Sequence, residues 1–395
     1  MLKIASIGSG RRGRLAKLAH RPGQGTVLAA ACDVSPAVRE EYATQFPGIA
    51  LFADYRDLLA SGPYDAIFVT TPDYLHEEHG LAALATGAAV YLEKPLAITI
   101  DACDRLLHAA AQFGDRLYVG HNMRFFPVMQ KMKELIDSGT IGQVQAVWCR
   151  HFVDYGGDAY FKDWHSERRH VGGLLLQKGA HDIDIIHWLA GSHTTRVVGM
   201  GKLSVYNQVE HRRDPQTCPP VRVRVSHWPP LAQQGMSPVI DVEDHSMMLM
   251  QLANGVQASY TQCHYTPDGW RNYTVIGTQG RIENWGDHSS SDLTASVRVY
   301  TRRSGRWSSG DLEMLVPAIE GEHGGADPGI VDDFLAFVRT GHRGGATPLD
   351  ARHAVAAGYL ATCSLREGNT PRDVPPFVPG SVAQVQVDPS HAATV

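Results

Sequence analysis

Three short stretches carry residue types and spacings that could do chemistry. In the first, Gly8-Ser9-Gly10-Arg11-Arg12-Gly13 follows an apolar run and opens a helical segment, and Asp33 comes 20 residues after Gly13. The first glycine permits a tight turn, the second lets backbone approach a pyrophosphate, and the third allows close helix–sheet packing. The helix N-terminus favours the phosphate charge. Asp33 can accept hydrogen bonds from the adenosine ribose hydroxyls and repels a 2′-phosphate, so NAD is favoured over NADP. Arg11 and Arg12 act against that preference, because a basic pair beside the turn could tolerate an extra phosphate. The second stretch is Glu93-Lys94-Pro95, after a short apolar run. The third is Gln177-Lys178-Gly179-Ala180-His181-Asp182-Ile183-Asp184. If one helix runs through it, Gln177, His181 and Asp184 share a face at i, i+4 and i+7, while Lys178 and Asp182 point elsewhere. Lys178 reaches the same cleft only where the chain is not yet helical.

These residues need elements to position them. Strands are expected at Leu2–Ile7, Thr26–Cys32, Ala66–Val69, Ala88–Leu92 and Leu117–Val119. Helices are expected at Arg12–His20, from Ser35 with Pro36 in its first turn, at Glu77–Thr86 and at Asp101–Phe113. Short, wholly apolar strands alternating with helices describe a doubly wound α/β domain with a parallel sheet. Beyond about residue 140 the pattern changes to a strand at Val144–Val153, a helix at Gly179–Leu189, and strands without intervening helices. The latter include Ser246–Leu252, Val256–Gln262, Tyr273–Ile276, Arg281–Glu283 and Ser296–Thr301. This is an α+β domain built on a large, mostly antiparallel open sheet. The expected organisation is an NAD-binding Rossmann domain at 1–121 and a substrate and oligomerisation domain at 122–370. An extended tail follows at 371–395. Six prolines and four arginines between Tyr206 and Val239 mark an inserted loop at 207–238. Late helices at Gly329–Arg339 and Asp350–Glu367 complete the second domain.

Composition sets limits. The 395 residues are 43% hydrophobic, enough for a sizeable core, which excludes disorder as the dominant state. A net charge of -5 gives no general attraction for nucleic acid or acidic membranes. No apolar run approaches the roughly 18 residues of a membrane helix. Six cysteines without a CxxC pair, and the lack of a signal-peptide pattern at Met1, lead to the expectation of a reduced, cytoplasmic setting. Five of the 20 histidines (His151, His165, His170, His181 and His187) crowd the approach to the third stretch. They lack zinc-ligand spacing, so no metal is expected.

Two further features carry a resemblance. Thr70-Thr71-Pro72-Asp73-Tyr74-Leu75-His76 follows the third strand and Glu93-Lys94-Pro95 the fourth. With the glycine-rich turn, and with Gly172-Gly173 leading into the Gln177–Asp184 segment, the chain resembles the glucose–fructose oxidoreductase / inositol dehydrogenase / MocA family over about residues 1 to 370. The resemblance implies a Rossmann domain joined to an open-sheet substrate domain, and a homodimer or homotetramer formed through that sheet. It implies that Lys94 lies near nicotinamide and the reacting hydroxyl. It implies cofactor contacts from Gly8, Gly10, Arg11, Arg12, Gly13, Asp33, Thr71, Pro72, His76, Glu93 and Lys94, and places Arg124 either at the cofactor or at the domain interface. His181 matches the family histidine, whereas Gln177 stands where the family has its aspartate. Glutamine can bond a sugar hydroxyl but cannot accept its proton at neutral pH.

The implied activity is oxidation of a secondary hydroxyl of a sugar, polyol or sugar derivative. The proton then goes to His181, the natural acceptor near neutral pH, with Lys94 stabilising the alkoxide or itself acting as base. Substrate contacts are expected from Gln177 and His181, with Trp164, His165 and Arg168 as further candidates. A tryptophan such as Trp164 is more often a packing residue than a ligand, and Arg168, Arg169 and His170 are either an anion-binding group or a solvated basic loop. Asp184 either orients His181 or serves the fold. Two rival activities remain open: glycoside hydrolysis through transient oxidation with recycled NAD, motivated by Gln177 and the inserted loop, and non-catalytic NAD binding, motivated by Gln177 alone.

Overall fold

The computed structural model describes residues 1–217, 223–287, 295–303, 309–317 and 323–380. Cys218, residues 218–222 of the inserted loop and residues 381–395 of the tail lie outside the described residues. The chain divides into two compact units.

The first unit contains Met1–Asn122, Asp327–Arg352 and the described residues from Phe377 onward. Its six strands are β1 (Leu2–Ile7), β2 (Thr26–Cys32), β3 (Ala50–Phe52), β4 (Ala66–Val69), β5 (Ala89–Leu92) and β6 (Leu117–Val119). They form a parallel sheet in the order β3-β2-β1-β4-β5-β6. The order reverses direction between β1 and β4, the switch point where doubly wound sheets open a crevice at the strand C-termini. β4 and β5 are buried at every position, as a sheet covered on both faces requires. Phe68 and Tyr91 stack at 5.0 Å between ring centroids, and Phe334 packs edge-on against both.

Phe334 lies on the helix Ala326–Thr340, which corrects the expected domain assignment. Residues 327–352 were expected in the second domain, yet they belong to the first unit. The physical reason is the apolar face of that helix: Ile330, Val331, Phe334 and Phe337 are buried, and the Phe334 ring meets Phe68, Tyr91 and Tyr118. Polar ties add to it, since the Tyr118 hydroxyl donates to Asp333 at 2.6 Å and Arg352 Nε donates to Asp104 at 2.8 Å.

The second unit contains Met123–Ala326 and His353–Pro376. Its strands are β7 (Val144–Phe152), β8 (Thr194–Lys202), β9 (His245–Leu252), β10 (Gln257–Cys263), β11 (Trp270–Gly277), β12 (Arg281–Trp285), β13 (Ala295–Tyr300), β14 (Leu312–Val316) and β15 (Arg372–Asp373). They pair in the order β14-β13-β12-β11-β7-β10-β9-β8-β15. Only β7 and β10 run parallel. Period-two alternation puts Val147, Cys149 and His151 of β7, Ala258, Tyr260 and Gln262 of β10, and Arg271, Tyr273 and Val275 of β11 on the inner face. The helix Gly179–Ala190 packs on that face and is buried at ten of its twelve positions. On the outer face Trp148, Met200, Met247 and Leu249 are exposed, and Met200 and Met247 are direct cross-strand partners. The start of the tail is not loose: β15 pairs with the β8 edge.

Candidate active site

In the first unit the glycine-rich turn is built for close approach. Gly8 has φ +80°, and a Cβ there would stand 2.7 Å from Thr71 Cγ2 and 2.8 Å from Thr71 N, so only glycine fits. A Cβ on Gly13 would meet Tyr42 Oη at 2.9 Å, and that hydroxyl donates to Gly13 O at 3.1 Å. Asp33 stands just past β2 and holds the turn: its Oδ2 accepts from Ser9 N at 2.9 Å and its Oδ1 from Ser35 N at 2.8 Å. Arg11 is exposed.

The turn is tied step by step to the loop that carries Lys94. Thr71 closes against Gly8, and Thr70 Oγ1 donates to Gly8 O. His76, 1% exposed, sets Nε2 2.9 Å from Thr71 O and Nδ1 2.7 Å from Pro95 O. His76 therefore bridges the loop after β4 to the loop after β5. His79 Nδ1 lies 3.0 Å from Thr71 Oγ1, and burial depresses this histidine to about 4. Lys94 is half-buried, and its backbone N–H donates to Glu93 Oε2 at 2.6 Å.

Arg12 and Glu93 are paired with each other, and Arg12 also meets Asp327. Arg12 reaches Glu93 Oε1 through Nε at 2.7 Å and Nη2 at 2.5 Å, and Asp327 Oδ2 through Nη1 at 3.0 Å. Asp327 also accepts from Arg14 and, at 2.9 Å, from Asn122 Nδ2. Two carboxylates face the Arg12 guanidinium, and one of them is shared with Arg14. The distance in sequence between Arg12 and Asp327 hid this arrangement.

In the second unit the Gln177–Asp184 segment is not one continuous helix. Leu174–Gln177 and Gly179–Ala190 meet at Lys178, which keeps a right-handed helical backbone. Gln177 is buried and His181 half-buried. Asp184 is gripped by Arg124, Nε to Oδ2 at 2.9 Å and Nη2 to Oδ1 at 2.7 Å, and the Arg124 guanidinium lies over the Trp188 ring. Arg124 thus serves this bidentate pair, and Phe126 beside it is core.

Asp182, absent from the expected site, is the hub of a buried polar cluster. It accepts from Tyr273 Oη, from Tyr260 Oη at 2.8 Å and from His151 Nδ1 at 3.1 Å, and Arg271 Nε lies 3.1 Å away. Cross-strand register explains the convergence, because Cys149 of β7 sits directly opposite both Tyr260 of β10 and Tyr273 of β11. Burial opposes ionisation of Asp182, but Arg271 and the donors around it outweigh that and hold its carboxyl well below the usual range. Burial and Arg271 push His151 down to about 4, so it stays neutral: Nδ1 donates to Asp182 while Nε2 accepts from Arg271 Nη2 at 3.2 Å. The sequence signal was an aspartate beside Ile183 on a helix that is buried at ten of its twelve positions. Nothing local names its partners, which lie 31 to 91 residues away.

Lys178 is buried. Its Nζ donates to Tyr155 Oη at 3.0 Å and lies 5.5 and 5.8 Å from the Tyr155 and Tyr160 ring centroids. Trp164 stacks on His165 at 3.7 Å, and His165 Nδ1 bonds Asp163 at 2.6 Å. Arg168 is held by Asp241 O at 2.5 Å and Glu243 Oε1 at 3.1 Å, and Arg169 pairs with Glu167. Arg168 and Arg169 are thus each paired with a nearby acid. His187 faces away from this group: Thr194 N donates to its Nε2 at 3.1 Å, and burial depresses it to about 3. Among the described residues no group of three or more His, Cys, Asp or Glu is arranged to hold a metal ion, and no helix is long and apolar enough to cross a membrane.

A parallel sheet with a glycine-rich turn and a terminal acid after β2, followed by an open mostly antiparallel sheet, defines a two-domain dinucleotide-dependent oxidoreductase. Family comparison agrees: residues 2–121 match the oxidoreductase family NAD-binding Rossmann fold, and residues 129–283 match the GFO/IDH/MocA C-terminal domain. The chain belongs to the GFO/IDH/MocA family. It is 27% identical over 308 residues to YteT of Bacillus subtilis, named as an oxidoreductase, covering 69% of this chain and 72% of that one. It is 30% identical over 219 residues to the inositol 2-dehydrogenase of Burkholderia multivorans, covering 54% of this chain and 62% of the relative, which is less than two thirds of it. In fold it resembles levoglucosan dehydrogenase in complex with NADH and L-sorbose, with TM-score 0.75, 20% identity and coverage of 95% and 99% of the two chains. It also resembles scyllo-inositol dehydrogenase of Lactobacillus casei with bound NAD(H) and scyllo-inositol, with TM-score 0.69, 22% identity and coverage of 95% and 99%.

Proposed function

We propose that this protein is an NAD-dependent dehydrogenase that oxidises a secondary hydroxyl of a sugar, polyol or sugar derivative. The observation that carries the reading is the chain of contacts Gly8–Thr71–His76–Pro95, which couples the nucleotide turn to the Lys94 loop. Gly8, Gly10 and Gly13 cradle the pyrophosphate, Asp33 takes the ribose hydroxyls, and Thr71 and Pro72 line the path toward Lys94. Bound NAD supplies the hydride acceptor. Lys94 holds the reacting oxygen and stabilises its developing negative charge. His181 takes the hydroxyl proton on an imidazole nitrogen, and Gln177 bonds a neighbouring hydroxyl, orienting the sugar without exchanging a proton. The relatives named for inositol and sugar dehydrogenation support the substrate class.

Two further parts of the reading concern assembly and setting. The exposed apolar face carrying Trp148, Met200, Met247 and Leu249 supports a homodimer or homotetramer built through the open sheet. Five free cysteines among the described residues support a reduced, cytoplasmic compartment. The test is incubation with NAD and a panel of free sugars, inositols and aryl glycosides, following NADH absorbance and aglycone release. Steady NADH accumulation is expected. Aglycone release without NADH would replace this reading with redox-recycling hydrolysis, and NAD binding with no turnover of any kind would end it.

A further inference from the structure

Lys178 is a buried cation whose described partners are phenols and ring faces rather than acids. It is 7% exposed, and its Nζ donates to the Tyr155 phenol at 3.0 Å. No carboxylate among the described residues lies within ion-pair range of Nζ. Asp182 and Asp287 are engaged by Arg271, at 3.1 and 3.4 Å, and Asp182 also accepts from His151, Tyr260 and Tyr273. An ammonium taken out of water costs several kcal/mol unless an anion meets it, and ring faces and a neutral phenol return only part of that.

The surroundings are built for a ligand rather than for packing alone. Tyr160 sits between His264, 5.1 Å away edge-on, and His165, 5.3 Å away edge-on, with Tyr155 at 6.4 Å. His264 is fully buried, and among the described residues neither ring nitrogen has a hydrogen-bond partner. Buried imidazoles are normally bonded, so two idle nitrogens beside a lysine with no acid mark a place where a polar group is missing. Tyr155, the partner of Lys178, is half-buried rather than enclosed. Burial raises the Tyr155 phenol, yet Lys178 and Arg271 outweigh that and its net direction is downward. Arg168 and Arg169, the other cations of this region, are already paired with acids.

We propose that Lys178, with the Tyr155 hydroxyl beside it, is a subsite for a carboxylate, and that the substrate is an acidic sugar or polyol such as a uronate or aldonate. The inference rests on the dehydrogenase reading given above. One ammonium and one phenol suit a planar monoanion; a phosphate dianion calls for more cationic donors than the pair offers. Lys178 directly follows Gln177, so an anion held there brings its sugar ring to the segment that carries the proposed hydrogen-bonding and proton-accepting side chains.

The test uses the full chain with NAD and compares glucuronate, galacturonate and gluconate with glucose, galactose, myo-inositol and glucose 6-phosphate. Two readouts are taken: kcat/KM for NADH formation, and direct calorimetric binding of each sugar to the NAD-loaded protein. The acids are expected to exceed their neutral counterparts by at least about tenfold, as one hydrogen bond to a charged group implies. Lys178→Met should cut the acid-to-neutral ratio roughly 10- to 100-fold, mostly through KM, and Lys178→Arg should restore part of it. Should Lys178→Met fail to fold, Tyr155→Phe provides the second reading, with a smaller loss in the same ratio. Turnover of neutral sugars with no preference for acids overturns the subsite and leaves the dehydrogenase reading standing. Acid binding that Lys178→Met abolishes, without NADH, leaves the subsite standing and overturns the dehydrogenase. A preference for glucose 6-phosphate, or no binding of any acid, overturns the subsite.

Discussion

Arg124 and Asp184 form a two-pronged ion pair, 2.9 and 2.7 Å long, with side chains 10% and 1% exposed. The pair anchors the helix Gly179–Ala190, which also bears His181. Removing one partner takes both of these bonds from a buried charge. Arg124→Ala is therefore expected to destabilise the protein by about 3–5 kcal/mol, whereas truncating an exposed pair such as Lys131–Glu134 should cost under about 1 kcal/mol. Urea denaturation of both variants checks this, and similar midpoints would refute the anchoring role.

Lys94 and His181 are expected to act on chemistry more than on cofactor affinity. Lys94→Ala and His181→Ala should each lower kcat by roughly 10²- to 10⁴-fold while the NAD dissociation constant stays within a few-fold. Single-turnover kinetics and NAD titration by fluorescence separate the two effects. Near-normal turnover in either variant removes that residue from the mechanism.

Cofactor choice is expected to follow Asp33 and not Arg12. Asp33→Ser should weaken NAD binding and raise the relative use of NADP, since the carboxylate no longer repels a 2′-phosphate. Arg12→Gln should lower the melting temperature, because Glu93 and Asp327 lose their shared cation, yet leave the NAD-to-NADP ratio unchanged. A ratio that moves with Arg12 would mean that its guanidinium leaves the two acids to bind phosphate.

Acid should destabilise the fold through its buried neutral histidines. His79 and His151 titrate near 4 and His187 near 3 in the folded protein, against about 6.5 in an unfolded chain. Between about pH 6.5 and 4 the unfolded state binds more protons, so stability falls as pH drops through that window and is level above it. Denaturation midpoints measured across the window should decline, and His187→Gln should shallow the slope. A flat profile would show that these imidazoles protonate without cost.

Much of the first unit was legible because its signals are local. A four-residue apolar strand such as Ala66–Val69, a glycine-rich turn and an acid at the end of the next strand each state their geometry within a few residues. The Gly179–Ala190 helix and the period-two strands of the second sheet were legible for the same reason. The C-terminal boundary was not, because the Ala326–Thr340 helix shows an apolar face without showing what covers it.

By itself, then, the sequence determined the two sheet types, the nucleotide turn, and Gln177 in place of an acid near His181. Tertiary structure alone decided which charges meet: Arg12 with Asp327, Arg124 with Asp184, and Asp182 with Arg271, His151, Tyr260 and Tyr273. Ion pairing inside a protein depends on distance and desolvation, and both are set by strand register and helix packing between residues up to 315 positions apart. The same packing placed Lys178, which helical phase had directed away from the site, against Tyr155.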